Sequence, residues 1–448
     1  MSVLHVLPNP GSNQAQIKFN QYKYCSKAPF VINADFECIL EPLGRKVKQT
    51  TYSQQHKVCI AAAILTSRFY EFDQRVVMKV GKNALAEFVN TRIVWAAEIV
   101  EKLQTNQAMN RLSAHQKKEY DNATQCYICR HEFVEGEAKG PKVRNHDHIR
   151  GWFIGAAHCQ CNLKRLVYFK TPVFFDNFCG YDAHLIVHEF GKRPDREINV
   201  ISQNMERYLQ VEWGQNMVFR DSLQFLSALL EQLAASLAKV GRENFQNLHD
   251  VVTDVYPEAD VKLLERKGVF CYDYFDSFAR LDEATLPPRE VFFNKHGGVE
   301  CSQADYAHAQ HVWNFHCSSL KEYMAVYLLS DICLLADVFQ AFRNQSLDKY
   351  QLDPAYFVSV PQLAWNALLK HIDRPIPLIT DPEMYRMIQP NIRGGICHAS
   401  GRYARANNKL MGCFTISGSR LRTSWKLTPT TSTAGHCRRK CRMAILNG

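Results

Sequence analysis

Pro29-Phe30-Val31-Ile32-Asn33-Ala34-Asp35-Phe36-Glu37-Cys38-Ile39-Leu40 sets two carboxylates inside an otherwise apolar run. The run reads as a strand. Side chains alternate with period two along a strand, so Asp35 and Glu37 share one face. Two further acidic motifs follow in order, Asn177-Phe178-Cys179-Gly180-Tyr181-Asp182 and Tyr327-Leu328-Leu329-Ser330-Asp331. The last reads as helical, which sets Tyr327 and Asp331 one turn apart on one face. Asp35, Glu37, Asp182 and Asp331 together form a donor set for two divalent cations about 3.5–4 Å apart, a pair that activates water and steadies the leaving oxygen of a phosphodiester. Tyr327 is placed to orient that water. Each short motif occurs often by chance. The ordered set of three, each on the expected element type, carries the reading.

Outward from the first motif, strands are predicted over 30–40, 58–65 and 76–80, with Pro42-Leu43-Gly44 as a turn signal. Residues 84–122 read as helical, and Ser113-Ala114-His115-Gln116 resembles a capping box. A strand is expected at 173–175, a helix over 183–190, and strands near 198–202, 208–212 and 217–219. Leu223, Leu226, Leu230, Leu233 and Leu237 alternate spacings of three and four over 222–240. Barely three heptads of this favour a core-facing helix over a zipper seam. Residues 305–315 and 320–342 read as two more helices. Strands first, then strands alternating with helices, imply an α/β domain.

At 448 residues the chain is long enough for two or three domains, with the apolar and charged content of a globular protein. No run of 18 apolar residues is present, so no membrane span is predicted. The first 20 residues lack a basic region followed by an apolar core, so a secretory signal is not expected. An intracellular protein follows, the nucleus favoured over the cytoplasm. The 16 cysteines are scattered except for one paired cluster, which implies reduced thiols and a metal site rather than a disulfide framework. Residues 384–448 hold 12 Lys and Arg and no Asp or Glu, leaving 42 basic and 44 acidic residues in the preceding 383. The basic surplus is wholly C-terminal. Contact with nucleic-acid phosphates is expected at 386–409, while the tail beyond reads as unfolded chain that happens to be basic.

The paired cluster is Cys126-Tyr127-Ile128-Cys129 with His158-Cys159-Gln160-Cys161. Two ligand pairs about 30 residues apart fit one tetrahedral zinc on Cys126, Cys129, His158 and Cys161. Cys159 is a possible substitute, but the gap to Cys161 favours His158. Between the pairs lie Asn145, His146, Asp147 and His148. Histidines grouped there point either to a second metal or general base, or to side chains that brace a small knuckle.

Cys-x-x-Cys, then Val143-Arg144-Asn145-His146-Asp147-His148-Ile149-Arg150-Gly151, then Gly155-Ala156-Ala157-His158 and Cys161-Asn162-Leu163 resemble the recombination endonuclease VII fold, a His-Me finger nuclease. In that family the loop usually begins with Asp, which helps hold the catalytic cation. Here the position is Asn145, while His146, His148 and Asn162 match. The resemblance implies the scaffold with its nuclease activity impaired.

The stretches 29–40, 172–185, 219–226 and 327–339 resemble the exonuclease domain of family B DNA polymerases, most of all the protein-primed branch of Polinton/Maverick, viral and linear-plasmid type. The resemblance covers roughly residues 17–412, and Polinton-type members also carry a zinc unit between the first two acidic motifs. It implies 3′–5′ hydrolysis of single-stranded DNA with two Mg²⁺ or Mn²⁺ held by Asp35, Glu37, Asp182 and Asp331. It implies water positioning by Tyr327, and contact of Asn177 and Tyr181 with the single-stranded 3′ end. Ile392-Arg393-Gly394-Gly395 resembles the Y-x-G-G linker that touches template, with Arg402 and Arg405 beyond it. A priming terminal protein is an implied partner.

The palm motifs D-x-x-S-L-Y-P, K-x-x-x-N-S-x-Y-G and D-T-D do not occur. Asp221-Ser222-Leu223 echoes the first but precedes the third acidic motif and lacks Tyr-Pro. The expected architecture is therefore α/β, an RNase H-like 3′–5′ exonuclease domain (1–115 and 169–345) with an inserted zinc module (116–168). A basic linker (346–412), a disordered basic tail (413–448) and no palm complete it, with an amino terminus that looks trimmed. The expected function is that of a truncated, protein-primed type B DNA polymerase retaining proofreading hydrolysis. The alternatives are a His-Me finger endonuclease and a non-catalytic DNA-binding remnant of a mobile element.

Overall fold

The computed structural model describes residues 6–47, 50–67, 75–104, 107–134, 136, 139–165, 170–204, 206–214, 216–256, 260–293, 298–372, 374–391, 425–427 and 441–443. The chain divides into Met1–Ile17 with Pro375–Gly448, and Lys18–Arg374. In the first of these units, β1 (Gln16–Ile17) pairs antiparallel with Ile376–Pro377. Helix Pro382–Ile388 follows, with Asp381 accepting from the N–H groups of Glu383 and Met384. Trp425–Leu427 pairs antiparallel with Cys441–Met443. The register sets Trp425 opposite Met443 and Leu427 opposite Cys441.

In the unit Lys18–Arg374 the run around Asp35 forms β2 (Phe30–Val47). Next come β3 (Thr50–Ser67), β4 (Arg75–Val80), α1 (Ala84–Gln104) and α2 (Ala114–Asn122). After β5 (Lys142–His146), β6 (Phe153–His158) and α3 (Cys159–Arg165) the chain returns as β7 (Thr171–Phe175) and α4 (Asp182–Phe190). It continues as β8 (Ile198–Asn204), β9 (Arg207–Trp213), β10 (Met217–Asp221), α5 (Leu230–Val240) and α6 (Gln246–Val255). The irregular stretch that follows leads into α7 (Gln303–His316), α8 (Leu320–Tyr350) and α9 (Val360–Ile372).

Seven strands form one mixed sheet in the order β4-β3-β2-β7-β10-β9-β8. β7 runs parallel to β2 and to β10, and the other neighbours are antiparallel. The two faces of β2 separate as period two requires. Phe36 meets Phe88 of α1 edge-on, with ring centroids 5.2 Å apart. Asp35 and Glu37 project from the other face. Ile60, Ala62 and Ile64 of β3 share a core with Leu328, Ile332 and Leu335 of α8. By length and composition α8 is apolar enough to cross a membrane, but 78% of its most apolar window is buried inside this unit. It packs as the core helix of an α/β fold.

Pro42-Leu43-Gly44 does not end its strand. Pro42 pairs with Gln54 and Arg45 with Tyr52, so two residues of β2 oppose one of β3. The extra residue makes a bulge, and Gly44 takes a φ of +54°, open to glycine at little cost. The helix expected over 222–240 begins only at Leu230. Asp221 caps a short 3-10 turn at Ser222–Gln224 by accepting from Leu223 N–H at 2.9 Å, which starts a turn in place of the helix. Leu230 and Leu237 are buried, as a core-facing helix requires. The compact unit runs on through 345, with α8 continuing to Tyr350 and the unit to Arg374.

Candidate active site and metal centre

Strand β2 presents Asp35 and Glu37, the loop after β7 leads to Asp182 at the first position of α4, and α8 presents Tyr327 and Asp331. Glu37, Asp182 and Asp331 are buried and Asp35 is partly buried. Burial pushes the Asp35 carboxyl up to about 7; Asp331 adds to the rise, and Lys267 and the Phe36 N–H oppose it. Glu37 is raised well above the usual range by burial and then by Asp35 and Asp331. Asp182 is raised by burial and then by Asp35 and Glu37. The three motifs thus bring their carboxylates within one another's field. Asp182 Oδ1 and Asp331 Oδ1 are buried with no hydrogen-bond partner. Buried, mutually repelling oxygens with unused lone pairs fit hard divalent cations.

Two residues outside the expected set belong here. Lys267 Nζ donates to Asp331 Oδ2 at 2.8 Å. Burial pushes this ammonium down, but Asp331, Tyr272 and Asp35 more than offset it and the net shift is upward. Asp176, the last residue before Asn177, is raised by burial, with Lys267 opposing. Its signal was present, since it follows β7 directly and stands immediately before the second motif. Lys267 had only a weak signal, because its segment is irregular and its partner lies 64 positions away.

The segment after Lys267 wraps Tyr327. Phe270 stacks on its ring with centroids 4.7 Å apart, and Tyr272 Oη lies 2.6 Å from Tyr327 Oη. A Cβ on Gly268 would come within 2.7 Å of the Tyr327 ring, so only glycine fits. In the second motif Asn177 adopts a left-handed φ of +65°. Its amide oxygen would lie 2.5 Å from a Cβ on Gly180. Asn177 is exposed, whereas Tyr181 is partly buried with its Oη 2.7 Å from His56 Nδ1. Asp221 is structural: it accepts from the N–H groups of Cys179 and Leu223.

Cys126, Cys129, His158 and Cys161 place their ligand atoms within 4.8 Å of one another. Tetrahedral zinc with bonds of about 2.0–2.3 Å needs spacings in that range. His158 Nε2 donates to the Glu132 carbonyl at 3.1 Å, which fixes the tautomer and leaves Nδ1 facing Cys129 Sγ at 3.4 Å. Hydrogen bonds from Cys129 and Cys161 hold the Cys126 thiol well below its ordinary range. These residues fit a zinc ion. Cys159 is not in the group, since its Cβ lies against Gly140. The carboxylates are not gathered as tightly: among the described residues the Cys/His set is the one group that meets this spacing.

The unit β5–β6–α3 brings Asn145 and Asn162 together, but the amides are engaged with each other. Asn145 Nδ2 donates to Asn162 Oδ1, and Tyr127 Oη donates to Asn145 Oδ1 at 3.0 Å. His146 Nε2 donates to the Gln107 carbonyl at 3.2 Å, and the rings of His146 and His148 lie 4.3 Å apart. Two amides locked together without a carboxylate do not fit a second cation. Arg393, Gly394, Gly395, Arg402 and Arg405 lie outside the described residues.

Buried carboxylates from β2, the start of α4 and α8 thus lie within one another's field beside one mixed sheet. Residues 165–411 match the family of type B DNA polymerases, organellar and viral. The chain belongs to that family, which acts in DNA replication as a nucleotidyltransferase, uses divalent metal and has DNA as its partner. No curated protein matches the chain.

Proposed function

We propose that Lys18–Arg374 is the 3′–5′ exonuclease part of a protein-primed type B polymerase. The observation that carries the reading is the convergence of Asp35, Glu37, Asp182 and Asp331, with two oxygens left unpartnered in a buried site. The order β4-β3-β2-β7-β10, with three antiparallel strands followed by two parallel ones, agrees with an RNase H-like core, and the β8–β9 hairpin extends it. The four carboxylates would hold two Mg²⁺ or Mn²⁺, which supply charge neutralisation and an activated water at a phosphodiester.

The chain's own residues do the rest. Lys267 donates to Asp331 and places a positive charge beside the carboxylates. Tyr327, held by Phe270 and Tyr272, offers a hydroxyl in a dry setting. Asn177 and Tyr181 are the residues for the single-stranded 3′ end. The knuckle takes a structural zinc.

Purified protein with Mg²⁺ or Mn²⁺ should shorten 3′-end-labelled single-stranded DNA, and Asp35→Ala with Asp182→Ala should remove most of that activity. An unchanged rate in the double variant would falsify the assignment. The endonuclease alternative is disfavoured by the Asn145–Asn162 pair. Asn145→Asp should raise nicking of supercoiled DNA, because a carboxylate binds a hard cation better than an amide; strong nicking by the parent that survives His146→Ala would refute both the site and its impairment.

A further inference from the structure

A cavity of about 330 Å³ opens beside the zinc knuckle, where the turn after Cys129 meets the C-terminal ends of α8 and α9. It shares no residue with the carboxylate site. Phe19, Tyr22 and Tyr350 supply its aromatic surface. Four basic side chains, Arg130, Lys349, Lys370 and His371, line it together with no Asp or Glu. Like charges gathered without a counter-charge repel and are stabilised by an anion.

Lys370 is committed to the fold. Its three donors reach the carbonyls of Tyr350 and Gln351 and Gln351 Oε1 at 3.0, 3.2 and 3.2 Å, closing the end of α8. Burial lowers its ammonium, with Cys25 opposing and Arg130 lowering it further. The side chains of Arg130, Lys349 and His371 make no hydrogen bond or ion pair among the described residues, and all three are exposed. Arg130 holds a left-handed φ of +60°, an uncommon conformation for a residue other than glycine, at the mouth of the cavity.

We propose that this cavity is a second nucleotide site. It takes one nucleoside phosphate, with the base against Phe19, Tyr22 and Tyr350 and the phosphate on Arg130, Lys349 and His371. Its volume stands at the low end of small-ligand pockets, which run from about 300 to 1,000 Å³, so it holds one nucleotide rather than a length of strand. Aromatic faces accept any base by stacking, while Arg and Lys give the phosphate its hold. The nucleotide comes either free or as one unit of a single strand passing the knuckle.

The test is calorimetric titration of the zinc-loaded full chain without added Mg²⁺ or Mn²⁺, in an Asp182→Asn background that spares oligonucleotides. The probes are dAMP, deoxyadenosine and the tetranucleotide (dA)₄. The expected result is binding of dAMP at least tenfold tighter than deoxyadenosine. Lys349→Glu with His371→Ala should weaken it tenfold or more while circular dichroism and zinc content stay unchanged. Tighter binding of (dA)₄ than of dAMP assigns the site to strand; preference for dAMP assigns it to free nucleotide. Absence of millimolar binding by either, or equal affinity in the parent and the Lys349→Glu, His371→Ala variant, overturns the proposal. Neither result depends on whether the carboxylate site hydrolyses DNA.

Discussion

Lys267 and Gly268 show how far a site depends on residues that carry no motif. Lys267 meets Asp331 at 2.8 Å, and Gly268 leaves room for the Tyr327 ring. Lys267→Met should lower 3′-end hydrolysis by about a hundredfold, the scale for losing one fixed charge-stabilising group. Rates over a range of Mn²⁺ concentrations would show a drop that added cation does not fully restore. Gly268→Ala should also lower the rate, because the new methyl displaces the ring; wild-type turnover in that variant would mean that Tyr327 has no part in hydrolysis. Asp35, Glu37, Tyr327 and Asp331 were legible because strand and helix periods place them without reference to the rest of the fold. Lys267 was not, because the segment 260–293 has neither period and only tertiary packing brings it to α8.

Helix α6 has no local cap, since Phe245 at its N-cap position provides no side-chain acceptor. Its cap comes from Asp337 of α8, whose Oδ1 accepts from Asn247 N–H at 2.9 Å and whose Oδ2 accepts from Leu248 N–H at 3.0 Å. Sequence reading could not see this cap because it spans 90 positions. Asp337→Ala should destabilise the unit by about 2–4 kcal/mol in urea titration, as two buried N–H groups lose their acceptor. Burial pushes the Asp337 carboxyl up to about 6, against the pull of those N–H groups. The folded state therefore binds this proton more tightly than the unfolded chain. Its contribution is fully present below about pH 4 and is lost as pH rises through 6, at about 1.4 kcal/mol per pKa unit. Asp337→Asn should flatten that part of the stability profile, and an unaltered pH slope would show that another group sets it. The misplaced start of α5 has the same origin: the leucine spacing was sound, but Asp221 claims the Leu223 N–H for a turn.

At the scale of the whole chain, the Cys/His knuckle, the proposed zinc unit, is built on its own small core of Cys126, Ile128, Ala157 and Cys161. Removing zinc, or Cys129→Ser, should unfold this knuckle while the main sheet persists, giving two separate thermal transitions. A single transition that shifts as one would show the knuckle to be integral to the sheet. The fold class was legible because the strand and helix order is set by local periodicity, whereas the neighbours β2–β7 and β7–β10 arise from contacts distant in sequence, and the long β2–β3 ribbon is a local hairpin that runs past the turn signal at Pro42-Leu43-Gly44. DNA affinity should fall with salt, and each of Arg393, Arg402 and Arg405 replaced by Ala should reduce the log–log slope by about 0.7 if it touches a single strand. The ribbon has a consequence of its own. Over Ile60–Leu65, β3 is paired on both sides, by β2 and β4, and fully buried. Beyond the bond from Leu40 N–H to the Phe275 carbonyl and the contact of His56 Nδ1 with Tyr181 Oη at 2.7 Å, the backbone of the two strands is paired only within the ribbon among the described residues. A lone two-stranded ribbon is marginal in water, so its amides open by fraying rather than with the core. Deuterium uptake should therefore be graded along each strand, slowest at Ile60–Leu65 and fastest toward Val47 and Thr50, so that one hairpin records both the global and the most local unfolding free energy of the molecule.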